Sequence, residues 1–551
     1  MIALNVRVAI VIAGFVLLAL TMGARLVFLQ VVDQEFLQDQ GDARSIRAQR
    51  ISAHRGMIRD CSGKPLAIST PVVSLWANPV ELLKDPDNLP YIAAIFDVPT
   101  QKFEKRIQEN AHRTFVYLRR KMPPAQAEKI LDKKINGIYS QKEYQRYYPA
   151  GEIAAHVVGF TNINDEGQEG IELAFNDWLR GTPGKKKVLK NLYGDVVRDI
   201  RPMVDVVAGK NLDISIDLRI QYLAHRELKS AIQHYGAASG SIVILDASTG
   251  QILSLVNQPS YNPNNRVGLE LGSVRNRAVT DVFEPGSTVK PFTVAVALES
   301  GLYQPDSIID TSPGFVQVGN KTIPDPRNLG ELDLGGIIAH SSQVGITKLA
   351  LTLDEYDVWT MFSELGFGQP VGIGFPGESG GYLPNRRRWK DIERATFAYG
   401  YGFQVTPLQL AAAYQVIASG GIKRELSLVK GEAGEARRIM SVESAEAIKV
   451  MLARVVNEGT GSRASIADYE VAGKTGTVRK VGENGYEDTR HMAFFAGMTP
   501  VDQPRLVGVV IINEPKGKEY GGGAIAAPVF ARVMKEALRL LNIPPTEEVT
   551  S

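Results

Sequence analysis

Cysteine is almost missing from this 551-residue chain, where Cys61 stands alone. A single thiol excludes an intrachain disulfide and a cysteine-rich metal site. It does not assign a compartment, because a chain with 44% hydrophobic residues can build large cores without covalent staples. Histidine is scarce too, with seven residues and no His-Glu-x-x-His spacing, so neither a metal nor a cofactor is expected. An excess of one charge is also lacking. The 62 Lys and Arg against 60 Asp and Glu leave a net +2, which points to no nucleic acid and no acidic partner. The runs Lys185-Lys186-Lys187 and Arg386-Arg387-Arg388 read as solvated loops. Long apolar runs are absent with one exception, Val8 to Ala24 between Arg7 and Arg25.

That run of 17 residues is at the short end for crossing a bilayer, and it extends through Leu26-Val27-Phe28-Leu29 if Arg25 snorkels. It is long for a signal-peptide core, and no small-residue cleavage site follows. An uncleaved anchor is therefore expected. After it, Val32 to Arg50 is polar with scattered apolar positions and reads as helix. His54 to Ser69 reads as strand, Asp-x-x-Gly turn and strand. Asn88 to Phe96 and Ala125 to Leu131 are helix-like, and Lys187-Val188-Leu189 is a strand after the turn Gly181 to Lys185. The rhythm changes near Leu212 to Asp217, a strand leading into a helix over Leu218 to His234. Residues 241–246 and 251–256 form a hairpin around Ala-Ser-Thr-Gly. Residues 493–498 and 506–512 are two more strands, Pro528 to Leu541 a closing helix, and Pro544 to Ser551 a disordered tail. Strands at both ends of a helical middle predict one domain whose termini meet in a single sheet.

Three segments of that domain carry chemistry. In Phe283-Glu284-Pro285-Gly286-Ser287-Thr288-Val289-Lys290, a Pro-Gly break precedes a serine, with a lysine three residues on. A helix starting at Ser287 puts both on one face and the serine at an N-terminus that favours developing negative charge. A desolvated lysine can then take the hydroxyl proton. Ser427-Leu428-Val429-Lys430 has the same spacing but no break, and its alternation reads as strand or loop. The second segment is Ser341-Ser342-Gln343, after the apolar stretch Leu334 to Ile338. The third is Lys474-Thr475-Gly476-Thr477, where a cation beside two hydroxyls suits a carboxylate and the glycine would let a ligand backbone approach. Two decoys are set aside. Gly377-Glu378-Ser379-Gly380-Gly381 lacks the strand and helix of a nucleophile elbow. His340 adjoins Ser341, and adjacent residues rarely face each other.

Ser-x-x-Lys, a Ser-x-Asn-like element and Lys-Thr-Gly, in this order, resemble the class B penicillin-binding proteins, specifically the division-type (septal) peptidoglycan D,D-transpeptidases of Gram-negative bacteria. The resemblance spans nearly the whole chain. It includes Gly41 to Ser45, Arg55-Gly56-Met57-Ile58, Tyr148 to Glu152, Glu169-Gly170-Ile171-Glu172, Tyr261-Asn262-Pro263-Asn264 and Ala398 to Gly402. It implies an α+β chain: a cytoplasmic tail at 1–6, a transmembrane anchor at 7–30, a pedestal at 31–212, a penicillin-binding domain at 213–542 and a flexible tail at 543–551. No glycosyltransferase module precedes the pedestal, as expected of class B. By resemblance, Ser287 attacks the D-Ala-D-Ala carbonyl of a stem peptide and Lys290 is its base. Ser341 relays protons with Lys290 and Lys474, while Gln343, Thr475, Gly476 and Thr477 bind substrate. The backbone N–H groups of Ser287 and Thr477 form the oxyanion hole. An acceptor amine then completes the cross-link, and β-lactams acylate Ser287. The expected setting is the inner membrane at the septum, with the catalytic domain in the periplasm and a septal glycosyltransferase and other divisome membrane proteins as partners. Gln343 departs from the family's asparagine and Cys61 from its polar residue. An elongation-type transpeptidase, a β-lactamase and a catalytically impaired division scaffold are the alternatives.

Overall fold

A computed structural model describes residues 2–36, 46–190, 196–431, 434–482 and 485–545. The chain forms two compact units, one of Met1–Arg55, Thr70–Gln145 and Arg180–Gly209, the other of Gly56–Ser69, Arg146–Leu179 and Lys210–Ser551.

The first unit begins with helix α1, Ile2–Val27, whose turns widen over Phe28–Val32. Leu4–Val32 is apolar and long enough to cross a membrane, and its large side chains are exposed all round. That is the state of a helix meant for an apolar solvent. Ile46–Ile51 is a strand, antiparallel to Gly184–Lys190, which pairs in turn with Val196–Val204. The helix expected over Val32 to Arg50 therefore fails at its C-terminal end, because a partner far along the chain claims the backbone. Its residues 37–45 lie outside the described residues. The unit's core gathers Leu75, Leu82, Leu89, Ile92, Phe103, Ile107, Leu118 and Ile130. These come from short helices such as Leu89–Ile95, Thr100–Glu109 and Pro124–Leu131, and from the strand Val116–Met122.

The second unit is built on helix α2 (Leu218–His234) and strands β1 (Ser239–Asp246), β2 (Ile252–Gln258), β3 (Ala472–Gly482), β4 (Gly485–Thr499) and β5 (Leu506–Asn513). All are antiparallel, in the order β2-β1-β5-β4-β3, so the two ends of the domain do meet in one sheet. Alternation sorts the side chains of this apolar sheet. Ile242, Ile244, Val510 and Ile512 share one core with α2 and α7 (Gly522–Leu540). Val243, Leu245, Val509 and Ile511 enter the other, with α5 (Pro407–Ala418). Every residue of α5 is buried, and helices α3 (Lys290–Glu299), α4 (Gln343–Thr352) and α6 (Val442–Asn457) lie in the helical middle. Full burial of an aliphatic or aromatic side chain is worth about 1.5–3 kcal/mol, so cores on both faces fix the sheet firmly.

Two boundaries differ from the sequence expectation. The strand before α2 shrinks to Leu212–Asp213, because the carboxylate of Asp217 turns to accept from the N–H of Arg219 at 2.9 Å and caps the helix. The closing helix starts at Gly522, so Pro528 lies in its interior. The expected tail falls outside the described residues from 546 onward.

Two segments quoted for the family resemblance hold each other. Asn264 accepts from the Tyr148 N–H at 3.0 Å and donates to its carbonyl at 2.9 Å. Nearby in sequence, the Arg146 guanidinium donates to Glu172 at 2.5 Å, and both side chains are almost fully buried. Removing one member of such a pair strands the other charge. Arg146→Ala is expected to destabilise the second unit by about 3–5 kcal/mol, measured as the shift in urea unfolding of the purified protein.

Candidate active site

The Phe283 segment is held before any chemistry is considered. Phe283 pairs with Val405 through two backbone hydrogen bonds of 3.0 and 2.9 Å. After Pro285 the chain takes φ +49° at Gly286 and winds one 3₁₀ turn, Gly286–Val289, into α3. Residues i and i+3 eclipse in such a turn, so Ser287 and Lys290 fall on one side, as expected. The Gly286 N–H donates to the carbonyl of Gly400 at 3.0 Å. Gly400 has φ +96°, and a Cβ there would lie 2.1 Å from the Gly286 carbonyl oxygen. From α5, the Tyr414 hydroxyl donates to the Thr288 carbonyl at 2.8 Å.

Ser341 links the motif residues. It sits between the short helix Leu334–Ala339 and α4, with φ +58°, a left-handed conformation that is uncommon for any residue but glycine. Lys290 Nζ donates to the Ser341 carbonyl at 2.6 Å and to its Oγ at 3.2 Å, and Ser341 Oγ donates to Ser287 Oγ at 3.0 Å. Lys290 and Ser287 are thus joined through Ser341. Spacing alone pointed to a direct reach, and the turn angle of Ser341 had no signal in the sequence.

Gln343 is the first residue of α4 and is half-buried. Its N–H donates to Asp325 Oδ1 at 2.6 Å. Asp325 also accepts from the Val344 N–H at 3.3 Å and from the Ser342 hydroxyl, which itself accepts from the Gly345 N–H at 2.8 Å. The sequence reading missed Asp325. A lone acid after Pro324 announces nothing locally.

Lys474 is fully buried on β3, the edge strand of the sheet, with Nζ 3.3 Å from the Thr475 carbonyl. Burial drives its ammonium well below the ordinary lysine range, and the charge of Lys290 adds to the effect. Burial likewise pulls Lys290 down to about 7, opposed by the negative charge of Asp325. Thr475 Oγ1 lies 2.9 Å from Thr460 Oγ1, and Thr477 Oγ1 accepts from the Gly522 N–H at 2.9 Å. The glycine-rich start of α7 therefore closes against β3. Glycine at 476 is required from the core side, since a Cβ there would lie 1.9 Å from the ring of Phe494. The room it makes is for that ring, not for a ligand.

The decoys stay apart. Gly377 to Gly381 is loop, Ser427 and Val429 make isolated bridges, and Lys430 Nζ donates to the Cys61 carbonyl at 2.7 Å.

A hydroxyl joined through a second serine to a lysine that loses its proton easily can act as a nucleophile. Alongside, β3 is an edge strand of the sheet, the kind of element with which an extended ligand can pair. Together they make a site suited to serine acyl transfer. Residues 240–535 match the family described as penicillin binding protein transpeptidase domain, and residues 50–214 the penicillin-binding protein dimerisation domain. The chain belongs to the penicillin-binding protein transpeptidase family. It is 42% identical to the peptidoglycan D,D-transpeptidase FtsI of Escherichia coli K12, over 97% of this chain and 91% of that one. It is 41% identical to the probable peptidoglycan D,D-transpeptidase PbpC of Pseudomonas aeruginosa, over 98% of this chain and 96% of that one. Among solved structures, penicillin binding protein 3 of Mycobacterium tuberculosis complexed with aztreonam aligns with a TM-score of 0.71 at 26% identity, covering 91% of this chain and 98% of that one.

Gly400→Ala should press a methyl group into the Gly286 carbonyl and load about 1–3 kcal/mol of backbone strain onto the nucleophile turn. Its acylation by a fluorescent penicillin is expected to slow at least tenfold while circular dichroism keeps the wild-type spectrum. Acylation at the wild-type rate would mean that Gly400 does not set the turn.

Proposed function

We propose that the protein is a membrane-anchored peptidoglycan D,D-transpeptidase that cross-links stem peptides through an acyl-enzyme on Ser287, in septal wall synthesis. The observation that carries this reading is the hydrogen-bonded series Lys290–Ser341–Ser287, with the buried amine held near neutrality.

In the first step the neutral Lys290 accepts the Ser287 proton by way of Ser341. Oγ bonds to the penultimate D-alanine carbonyl carbon, and the carbonyl electrons move onto oxygen. Collapse breaks the C–N bond, and the terminal D-alanine leaves as an amine with a proton returned through Ser341. In the second step the amine of a neighbouring stem peptide attacks the ester, loses a proton to the same relay and releases Ser287. Lys474, whose ammonium is likewise destabilised by burial, exchanges protons with Lys290 and Ser341 in the relay. Thr475 and Thr477 hold the donor's terminal carboxylate, and the N–H groups of Ser287 and Thr477 receive the oxyanion. Gln343 keeps the amide donor and acceptor of an asparagine but displaces them by one methylene, and so tunes the handling of substrates and β-lactams. A β-lactam follows the first step only, and its ester persists.

We keep as proposed limits an anchor at 7–30, a pedestal at 31–212, a catalytic domain at 213–542 and a tail from 543, with Gly56–Ser69 and Arg146–Leu179 of the pedestal span belonging to the second compact unit. The apolar N-terminal helix fits a single-pass anchor. A catalytic domain in the periplasm at the septum, beside a septal glycosyltransferase and other division membrane proteins, is the setting we infer from the FtsI-type relatives.

The sign of the pH dependence follows from the base. Lys290 works only when neutral, and its ammonium titrates near 7. The second-order rate of acylation by a penicillin should therefore rise with pH, pass its half-point near 7 and level off above it. Lys290→Ala should lose at least about a hundredfold. With a D-Ala-D-Ala stem peptide and an amine acceptor, free D-alanine and the cross-linked product should form in equal amounts. A flat pH profile, or D-alanine release with no cross-linked product, would contradict the proposal.

A further inference from the structure

Asp325 has no role in the reaction as written, yet its carboxylate is committed entirely to the site's second segment. It lies just beyond the strand Lys321–Pro324, and its residue is 8% exposed. Its own N–H donates to the Gly314 carbonyl at 2.9 Å, which anchors the backbone behind it. Oδ1 takes the first two N–H groups of α4, from Gln343 and Val344, and Oδ2 takes the Ser342 hydroxyl. A helix N-terminus is stabilised by an anion in this position.

The residue just before this anchored turn is Ser341. A serine in the left-handed region is strained, so the conformation persists only if the flanking chain enforces it. On its N-terminal side the Ser341 and Ser342 N–H groups donate to the carbonyls of Ile338 and Ile337 at 3.2 and 3.0 Å. On its C-terminal side the holding group is Asp325.

We propose that Asp325 is a positioning residue of the acyl-transfer site: by fixing Ser342 and the first turn of α4, its carboxylate keeps Ser341 where it bridges Lys290 and Ser287. This rests on the reading of those three residues given under the proposed function. A second consequence follows from charge. Among the described residues, the charged group acting on Lys290 is Asp325, whose negative charge favours the ammonium form, while the charge of Lys290 in turn disfavours the ammonium of Lys474 on β3. Taking the Asp325 charge away makes Lys290 lose its proton at lower pH. Asp325 thus sets both the geometry of the relay and the pH at which it works.

The test is the pH profile of acylation by fluorescent penicillin on the full-length protein in detergent, for wild type, Asp325→Asn, Asp325→Glu and Ser342→Ala. Asp325→Asn should acylate about ten- to a hundredfold more slowly, as a misplaced relay does, with its half-point moved to lower pH. Asp325→Glu keeps the charge and should leave the half-point at the wild-type value. Ser342→Ala should slow acylation without moving the half-point. A purely structural aspartate would lower the melting temperature and leave the half-point in place. An unmoved half-point, or a rate within twofold of wild type, in Asp325→Asn overturns the proposal. If Asp325→Asn does not fold, Ser342→Ala decides by rate: slower than wild type supports the proposal, equal to it overturns it. Failure of the underlying reading looks different, since wild type itself would then show no labelling, or labelling that survives Ser287→Ala.

Discussion

Everything in the catalytic unit depends on keeping Lys290 out of water. An ammonium in bulk solvent holds its proton far above neutrality and is useless as a base at pH 7. Buried, it loses that proton near 7. Burial is costly unless the amine's hydrogen bonds are met. Ser341 meets them twice, with its carbonyl and its hydroxyl, and the same hydroxyl donates to Ser287. In the proposed mechanism the contacts that make the lysine tolerable in the core are also those that activate the serine.

The rest of the unit can be understood as what holds this arrangement still. The sheet has cores on both faces, so β3 and its Lys474 are set against a rigid wall. The fully buried α5 reaches the nucleophile turn through Tyr414, and Gly400 lies directly on Gly286. Asp325 restrains Ser341 from the far side. Each support comes from a different part of the chain, so no local segment could hold the three reacting side chains by itself.

That dispersal explains what the sequence disclosed. The motif residues Ser287, Lys290, Ser341 and Lys474 were legible because each stands in a short signature whose order is distinctive. Helix α2 was read to the residue, since an Asp cap and amphipathic spacing are local signals. The joining of both ends of the domain in one sheet followed from the apolar strands at each end. What escaped were the features set by distant partners. Ile46–Ile51 is a strand only because Gly184–Lys190 pairs with it. Helix α7 begins at Gly522 rather than Pro528 because its glycines pack closely on β3. The left-handed turn of Ser341, the hold of Asp325 and the reason for glycine at 476 are tertiary facts with no pattern of spacing to betray them.

Peptide-level mass spectrometry of the intact protein after exposure to a penicillin tests most directly whether Ser287 is the nucleophile, as proposed. A single penicilloyl adduct on the peptide containing Ser287, absent from folded Ser287→Ala, is the predicted result. A folded wild-type protein with no adduct, or with its adduct on another residue, would contradict it.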